Sequence, residues 1–300
     1  MRPYGLKEEE EFKLTRIDPA RVRAHRSEPV LQSYDHRTTI LYALGVGAGS
    51  DPEDQKFVYE KNLLTLPSQS VIMARERFWL HDPEYGIDVT KLLHGEQSVQ
   101  IHKPLPAAGT IRGQLTVEAL HDKGEGRGAL LVMKREITDA DSGDAIATVR
   151  ITSFLRANGG FGGQNDPVAE PRPIPQRPAE MVVTSATTAE QALLYRLCGD
   201  DNPIHVDHEV ARKAGFPNPI LHGLCTYGVA CRAVVQAVCG NDPERMKRFD
   251  VRFSRPVYPG DQIVTEIWTE EGGKAAHFRC WVPKRQEMVL NNGYAEISAS

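Results

Sequence analysis

Gly223-Leu-Cys-Thr-Tyr-Gly-Val-Ala-Cys-Arg-Ala-Val-Val-Gln-Ala-Val-Cys-Gly240 is the stretch on which the fold turns. Between the two glycines, Leu224, Val229, Ala230, Cys231, Val234, Val235 and Val238 occupy nearly every side of a helix. A helix of about 15 residues with so little polar face has to be buried. Gly223 opens it and Gly240 stops it. Four strand patterns follow, at 248–253, 262–268, 275–282 and 288–297, with Pro-Gly, Gly-Gly and Pro-Lys turns between them. They are close in sequence, so an antiparallel meander is the simplest pairing. The prediction is an α+β unit in which an antiparallel sheet wraps one long buried helix.

Upstream the same strand series recurs, at 96–102, 110–120, 128–138 and 145–155. Val99-Gln-Ile-His-Lys-Pro104, then Gly109 and Ile111, matches Val251-Arg-Phe-Ser-Arg-Pro256, then Gly260 and Ile263. Leu41-Tyr42 and Leu44 match Leu194-Tyr195 and Leu197. The offsets, 152 and 153, imply a duplication. Residues 164–180 carry five prolines in a polar stretch and read as an extended linker. The expected organisation is a double hot dog: one repeat at 1–163, the linker at 164–180 and a second repeat at 181–300. The two sheets are expected to join edge to edge. In the first repeat the helical stretch 57–75 is interrupted by Pro67, so its core helix is expected to be eroded. In the second, Thr187 and Glu190 form a capping box for a helix at 188–198 that Gly199 stops. Asp207 caps a short helix ending at Gly215.

Composition excludes several classes. The formal net charge of −4 provides no basic face for nucleic acid or anionic lipid. No apolar run approaches the roughly 18 residues of a membrane span. The N-terminus is charged, with four glutamates between Lys7 and Lys13, and has no apolar core of a secretion signal. The last residues, Ala-Glu-Ile-Ser-Ala-Ser, are not the Ser-Lys-Leu address. The five cysteines, at 198, 225, 231, 239 and 280, form no C-x-x-C pair and read as reduced, packed thiols of a cytoplasmic protein.

The chemistry concentrates in Gly199-Asp-Asp-Asn-Pro-Ile-His205. Pro203 stiffens this segment and pushes Asn202 out of helical geometry. His205 can exchange a proton near neutral pH. Asp200 can accept one or orient a water, and the Asn202 amide can hold the pair in register. Gly223, at a helix start, offers a free N–H and partial positive charge to an oxygen that gains negative charge. An acid/base pair, a place for water and an oxyanion donor suit the addition or removal of water across a double bond conjugated to a carbonyl. The same Asp, Asn and Pro also suit a plain capping turn. His205, Asp207 and His208 could suggest a metal, but the two histidines at i, i+3 have no third ligand at a recognised spacing. Gly45-Val-Gly-Ala-Gly49 reads as a turn, Cys225 as a packed thiol, and no G-x-S-x-G elbow is present. With the halves aligned, Gly47 and Pro52 stand opposite Asp200 and His205, so one site per chain is expected.

These motifs resemble a known family. Tyr195-Arg-Leu-Cys-Gly-Asp-Asp-Asn-Pro-Ile-His205, Ala-Gly-Phe at 214–216 and Pro-Ile-Leu-His-Gly-Leu-Cys-Thr at 219–226 look like the MaoC-like hydratase 2 signature. Leu92-Leu-His-Gly-Glu-Gln97, Lys103-Pro-Leu-Pro-Ala-Ala-Gly109, Asp122-Lys-Gly124 and Gly159-Gly-Phe-Gly-Gly163 are similar to the hydratase domain of peroxisomal multifunctional enzyme type 2. The resemblance implies a (3R)-specific 2-enoyl-CoA hydratase. Asp200, Asn202 and His205 would then serve catalysis, and the Gly223 amide would be the oxyanion donor. His94, Gly95, Lys123 and Phe253 would line the CoA thioester site. It further implies no cofactor beyond the substrate's own coenzyme A, no metal, a homodimer, and a stand-alone cytoplasmic enzyme. The eroded first-half helix is expected to leave room for long or bulky acyl groups. A hot-dog acyl-CoA thioesterase and a non-catalytic acyl-CoA-binding protein stay open as alternatives.

Overall fold

The computed structural model describes residues 16–298; the acidic run between Lys7 and Lys13 and the last two residues lie outside them. In chain order the elements are α1 (Pro19–Ala24), β1 (Val30–Tyr34), α2 (His36–Gly45), α3 (Gln55–Val58), β2 (Leu92–Ile101), β3 (Gly109–Asp122), β4 (Ala129–Asp139) and β5 (Ala145–Leu155). After the linker come β6 (Met181–Ala186), α4 (Gln191–Tyr195), α5 (His208–Lys213), α6 (Gly223–Val238), β7 (Met246–Phe253), β8 (Gln262–Glu270), β9 (Ala275–Val282) and β10 (Glu287–Ile297).

All ten strands form one antiparallel sheet in the order β1-β3-β4-β5-β2-β7-β10-β9-β8-β6. From the β2/β7 seam outward, each side repeats the same order. The seam pairs Gln97 with Val251 and Ser98 with Asp250. Ser98 and Asp250 are 152 positions apart, the offset of the internal repeat, so the local two-fold passes between them. The Ser98 hydroxyl donates to the Asp250 carboxylate across it. This is the edge-to-edge join the sequence predicts, and the sheet wrapped on α6 is a double hot dog.

Two expectations are corrected. The strands of each half are not a simple meander: β7 lies beside β10, and residues 254–261 carry the chain past the β8-β9-β10 hairpins. The flanking strands β1 and β6 and the helix α2 also went unread. The Thr187/Glu190 capping box does not form. The Thr187 hydroxyl instead donates to the Asp261 carbonyl, and Gln191 Oε1 accepts the Thr188 N–H. The helix therefore starts late, at Gln191, and its last turn tightens to 3-10 geometry at Arg196–Cys198.

Helix α6 is the buried core element. Gly228 lets it approach α2: a Cβ there would stand 2.4 Å from Val46 Cγ1 and 2.9 Å from the Tyr42 hydroxyl. Its one charged residue, Arg232, pairs at 3.0 Å with Asp54, which is 4% exposed. In the first half the corresponding space holds a buried 3-10 segment, Pro67–Ile72, in place of a long helix. Arg135, 1% exposed, anchors that segment by donating to the Val71 carbonyl at 2.6 Å and to Glu76 at 3.3 Å. All five cysteines are free thiols. The Cys225 thiol donates to the Gly45 carbonyl, and burial raises its pKa, which suits the packed-thiol reading.

Candidate active site

Three short elements converge at the start of α6. The 3-10 turn after α4 ends at Gly199, whose φ of +106° lies in the left-handed region that glycine tolerates. The reversal presents Asp200. One Asp200 oxygen accepts the Asn202 N–H at 3.3 Å, and Asn202 Oδ1 accepts the Ile204 N–H at 3.1 Å. Asn202 thus caps the 3-10 turn Pro203–His205. Asp207 caps α5, its carboxylate accepting the Glu209 and Val210 N–H groups at 2.7 and 3.2 Å.

His205 is 9% exposed. Its Nδ1 lies 2.8 Å from the Ile220 carbonyl. A carbonyl only accepts, so Nδ1 carries the proton and Nε2 keeps its lone pair. Burial lowers the His205 pKa against the opposing effects of Ile220 and Asp200, so the ring is neutral at pH 7. A ring nitrogen of His205, one of His222 and an Asp200 carboxylate oxygen lie within 4.8 Å of one another. The His205 and His222 rings stack at 3.7 Å with 26° between planes. One nitrogen of each ring is already committed to a backbone carbonyl, His205 Nδ1 to Ile220 and His222 Nε2 to Asp200, an arrangement that suits proton transfer.

Sequence reasoning gave His222 no role, although it directly precedes Gly223. It occupies the N-cap of α6, where Ser, Thr, Asp or Asn is usual, and its side chain does not cap. Its Nε2–H instead donates to the Asp200 backbone carbonyl at 3.2 Å. A histidine at the N-cap of an otherwise apolar helix was the available signal. Burial, reinforced by His205, lowers its pKa to about 4.

The first intrahelical bond of α6 runs from Thr226 N–H to the His222 carbonyl. The amides of Gly223, Leu224 and Cys225 therefore lack a helical acceptor, at the positive end of the helix dipole. A Cβ on Gly223 would stand 3.3 Å from Phe253 Cε1. The Phe253 ring lies 4.8 Å from that of His94. His94 reaches this side through a β-bulge: it pairs with Ser153, Glu96 pairs with Thr152, and Gly95 is the extra residue. Without the bulge, the two-residue alternation that buries Gln97 and Val99 would turn His94 outward. A Cβ at Gly95 would press to 3.2 Å on the Thr152 carbonyl. His94 Nε2 is buried without a partner, and burial, with Arg75 nearby, lowers the ring's pKa to about 4. Lys123 is not in this cluster. It is exposed on the β3–β4 turn with its ammonium 5.4 Å over the Phe154 ring, and Phe154 pairs with Leu93, beside His94. A separate cleft of about 310 Å³, lined by Leu63, Ile101, Leu105 and Pro243, opens at the far end of β2 from His94.

The family model for an MFE-2 hydratase 2 N-terminal domain matches residues 32–157, and that for a MaoC like domain matches 171–287. The chain is 36% identical over 293 residues to enoyl-CoA hydratase 2, peroxisomal, of Arabidopsis thaliana, covering 91% of this chain and 93% of that one. It is 37% identical over 282 residues to the peroxisomal multifunctional enzyme type 2 of Mus musculus, covering 91% of this chain but only 38% of that longer protein. Among solved structures, a MaoC-like dehydratase from Phytophthora capsici superimposes with a TM-score of 0.84 at 31% identity, covering 95% of this chain and 100% of that one. Matched along both halves and by full-length relatives, the chain belongs to the MaoC-like hydratase 2 family.

Proposed function

We propose that this protein is a (3R)-specific 2-enoyl-CoA hydratase. It adds water reversibly to a trans-2-enoyl-CoA to give the (3R)-3-hydroxyacyl-CoA. The observation that carries the reading is the neutral His205, its Nδ1–H held by the Ile220 carbonyl, grouped within 4.8 Å with the Asp200 carboxylate and with His222, the residue that opens α6, whose first three amides have no helical acceptor.

In this reading a water sits between Asp200 and His205 Nε2. As its oxygen bonds to C3 of the substrate, the cluster takes one proton from it. The C2=C3 electrons shift toward the thioester carbonyl, and the Gly223 amide stabilises the enolate oxygen. The same cluster returns a proton to C2 on the same face. One water is consumed, the enzyme is unchanged, and addition is syn because acid, base and water share one side. Asn202 fixes the turn that presents Asp200. His94, Gly95 and Phe253 hold the thioester across the β2/β7 seam, and Lys123 offers a point charge to a CoA phosphate at the rim. The reading calls for no cofactor, since coenzyme A arrives with the substrate.

The proposal divides the chain as the sequence suggests: 1–163 as a non-catalytic repeat that shapes the acyl-CoA pocket, 164–180 as linker, and 181–300 as the repeat with the catalytic loop. It places the enzyme in fatty-acid β-oxidation or related acyl-CoA metabolism, as a cytoplasmic homodimer. No helix among the described residues is long and apolar enough to cross a membrane. The decisive experiment follows loss of enoyl-thioester absorbance with crotonyl-CoA and longer enoyl-CoAs, with chiral analysis of the product. The expected result is R-product and a kcat/KM that holds or rises with chain length. No hydration at any length overturns the reading, and release of free CoA instead identifies a thioesterase.

A further inference from the structure

We propose that His222 is a positioning residue for this hydration, a brace that sets Asp200, His205 and the α6 amides at fixed distances. The inference rests on the hydratase reading. Those three parts lie on three separate elements, and His222 touches each. It is the N-cap of α6, its Nε2–H holds the Asp200 carbonyl at 3.2 Å, and its ring lies 3.7 Å from the His205 ring. Tyr195 backs it at 5.0 Å, and Arg196 is the nearby cation. As a helix start it is a poor choice. It leaves the helix without a side-chain cap, and at 1% exposure its Nδ1 has no partner. A serine or aspartate would serve stability better, so the placement of this ring is explained by what it holds. Stacking restrains the His205 ring plane, the hydrogen bond restrains the Asp200 turn, and small displacements of such groups are costly in rate.

The test compares the full chain with His222→Phe, which keeps a flat ring and loses the donor, and His222→Gln, which keeps a donor and loses the stack. With enoyl-CoA, His222→Phe is expected to lower kcat about ten- to a hundredfold with KM within about twofold. His222→Gln should recover part of the loss. If the wild type itself does not hydrate, the functional reading fails. If the wild type is active and His222→Phe keeps its kcat, the brace fails. Equal loss in both variants that tracks loss of folded protein by circular dichroism also overturns it. Nitrogen NMR of the wild-type imidazoles decides independently of any variant. His222 as the Nε2–H tautomer and His205 as the Nδ1–H tautomer at pH 7 are expected, and the opposite tautomer at either ring refutes the arrangement.

Discussion

Replacing Gly223 by proline isolates one atom group in this site. Gly223 is the first residue of α6, the position where proline is best tolerated, because its missing N–H is one that the helix does not use. The residue before a proline must be extended, and His222 already has φ −55° and ψ 133°. The backbone therefore accepts the substitution while the proposed oxyanion donor disappears. The added carbons press on Phe253, since even a Cβ at Gly223 comes within 3.3 Å of its Cε1. Gly223→Ala is the matching control: it adds the crowding and keeps the N–H. The ratio of the two kcat values then belongs to the amide. Loss of one such donor typically costs about 10²- to 10³-fold, or about 3–4 kcal/mol of transition-state stabilisation. The neighbouring amides of Leu224 and Cys225 also lack helical acceptors, which favours the lower end. Steady-state hydration of an enoyl-CoA by both variants, with melting curves to establish equal folding, gives the ratio. Equal kcat in the alanine and proline variants refutes the assignment of the Gly223 amide.

Asp200→Asn and His205→Gln should each lower kcat about 10²- to 10⁴-fold in the same assay; wild-type rates in both would move the chemistry elsewhere. Burial holds His94 and His222 at about 4, so below pH 6.5 the unfolded chain takes up protons that the folded chain refuses. Their stabilisation is complete above pH 6.5 and falls as pH drops toward 4, by up to about 1.4 kcal/mol per pH unit for each ring. Urea denaturation at pH 7, 6 and 5 should show this slope, and His94→Gln should remove about half of it; flat stability between pH 6 and 5 contradicts the burial argument. Gly228→Ala drives a methyl into Val46 and the Tyr42 hydroxyl and should cost about 1–3 kcal/mol, read as a lower melting temperature.

The strands and the buried helix were legible because their signals are strong and local. β5 and β9 begin and end where the alternation and turn residues predicted, and α6 has an apolar surface that only a core accepts. What escaped depends on partners distant in sequence. β1 and β6 are five and six residues long and sit on the flanks of the sheet, where half-exposed patterns such as Val-Leu-Gln-Ser-Tyr carry little periodicity. Thr187 looks like an N-cap until Asp261, 74 residues away, claims its hydroxyl. In the site, Asp200, His205 and Gly223 stood out because carboxylate, imidazole and helix start are close in the chain. His222 was hidden in plain view, since its partners, an imidazole 17 positions back and a carbonyl 22 positions back, are set only by the fold.

The local two-fold explains why the half without Asp200 and His205 is still part of the site. An exact symmetry through Ser98 and Asp250 would give every group on one side of the seam a partner on the other. Here the residues opposite Asp200 and His205 are Gly47 and Pro52, neither of which carries a titratable group. The seam itself is intact. It pairs β2 with β7 and thereby sets His94, from the first half, 4.8 Å from Phe253, which in turn lines the position of Gly223. The bulge at Gly95 then becomes intelligible: it breaks the alternation of β2 at the one point where an inward imidazole meets the other half. In the proposed reading the first half, without a cluster of its own, still bears the wall that holds the thioester, and its buried 3-10 segment Pro67–Ile72 stands where the second half has its core helix.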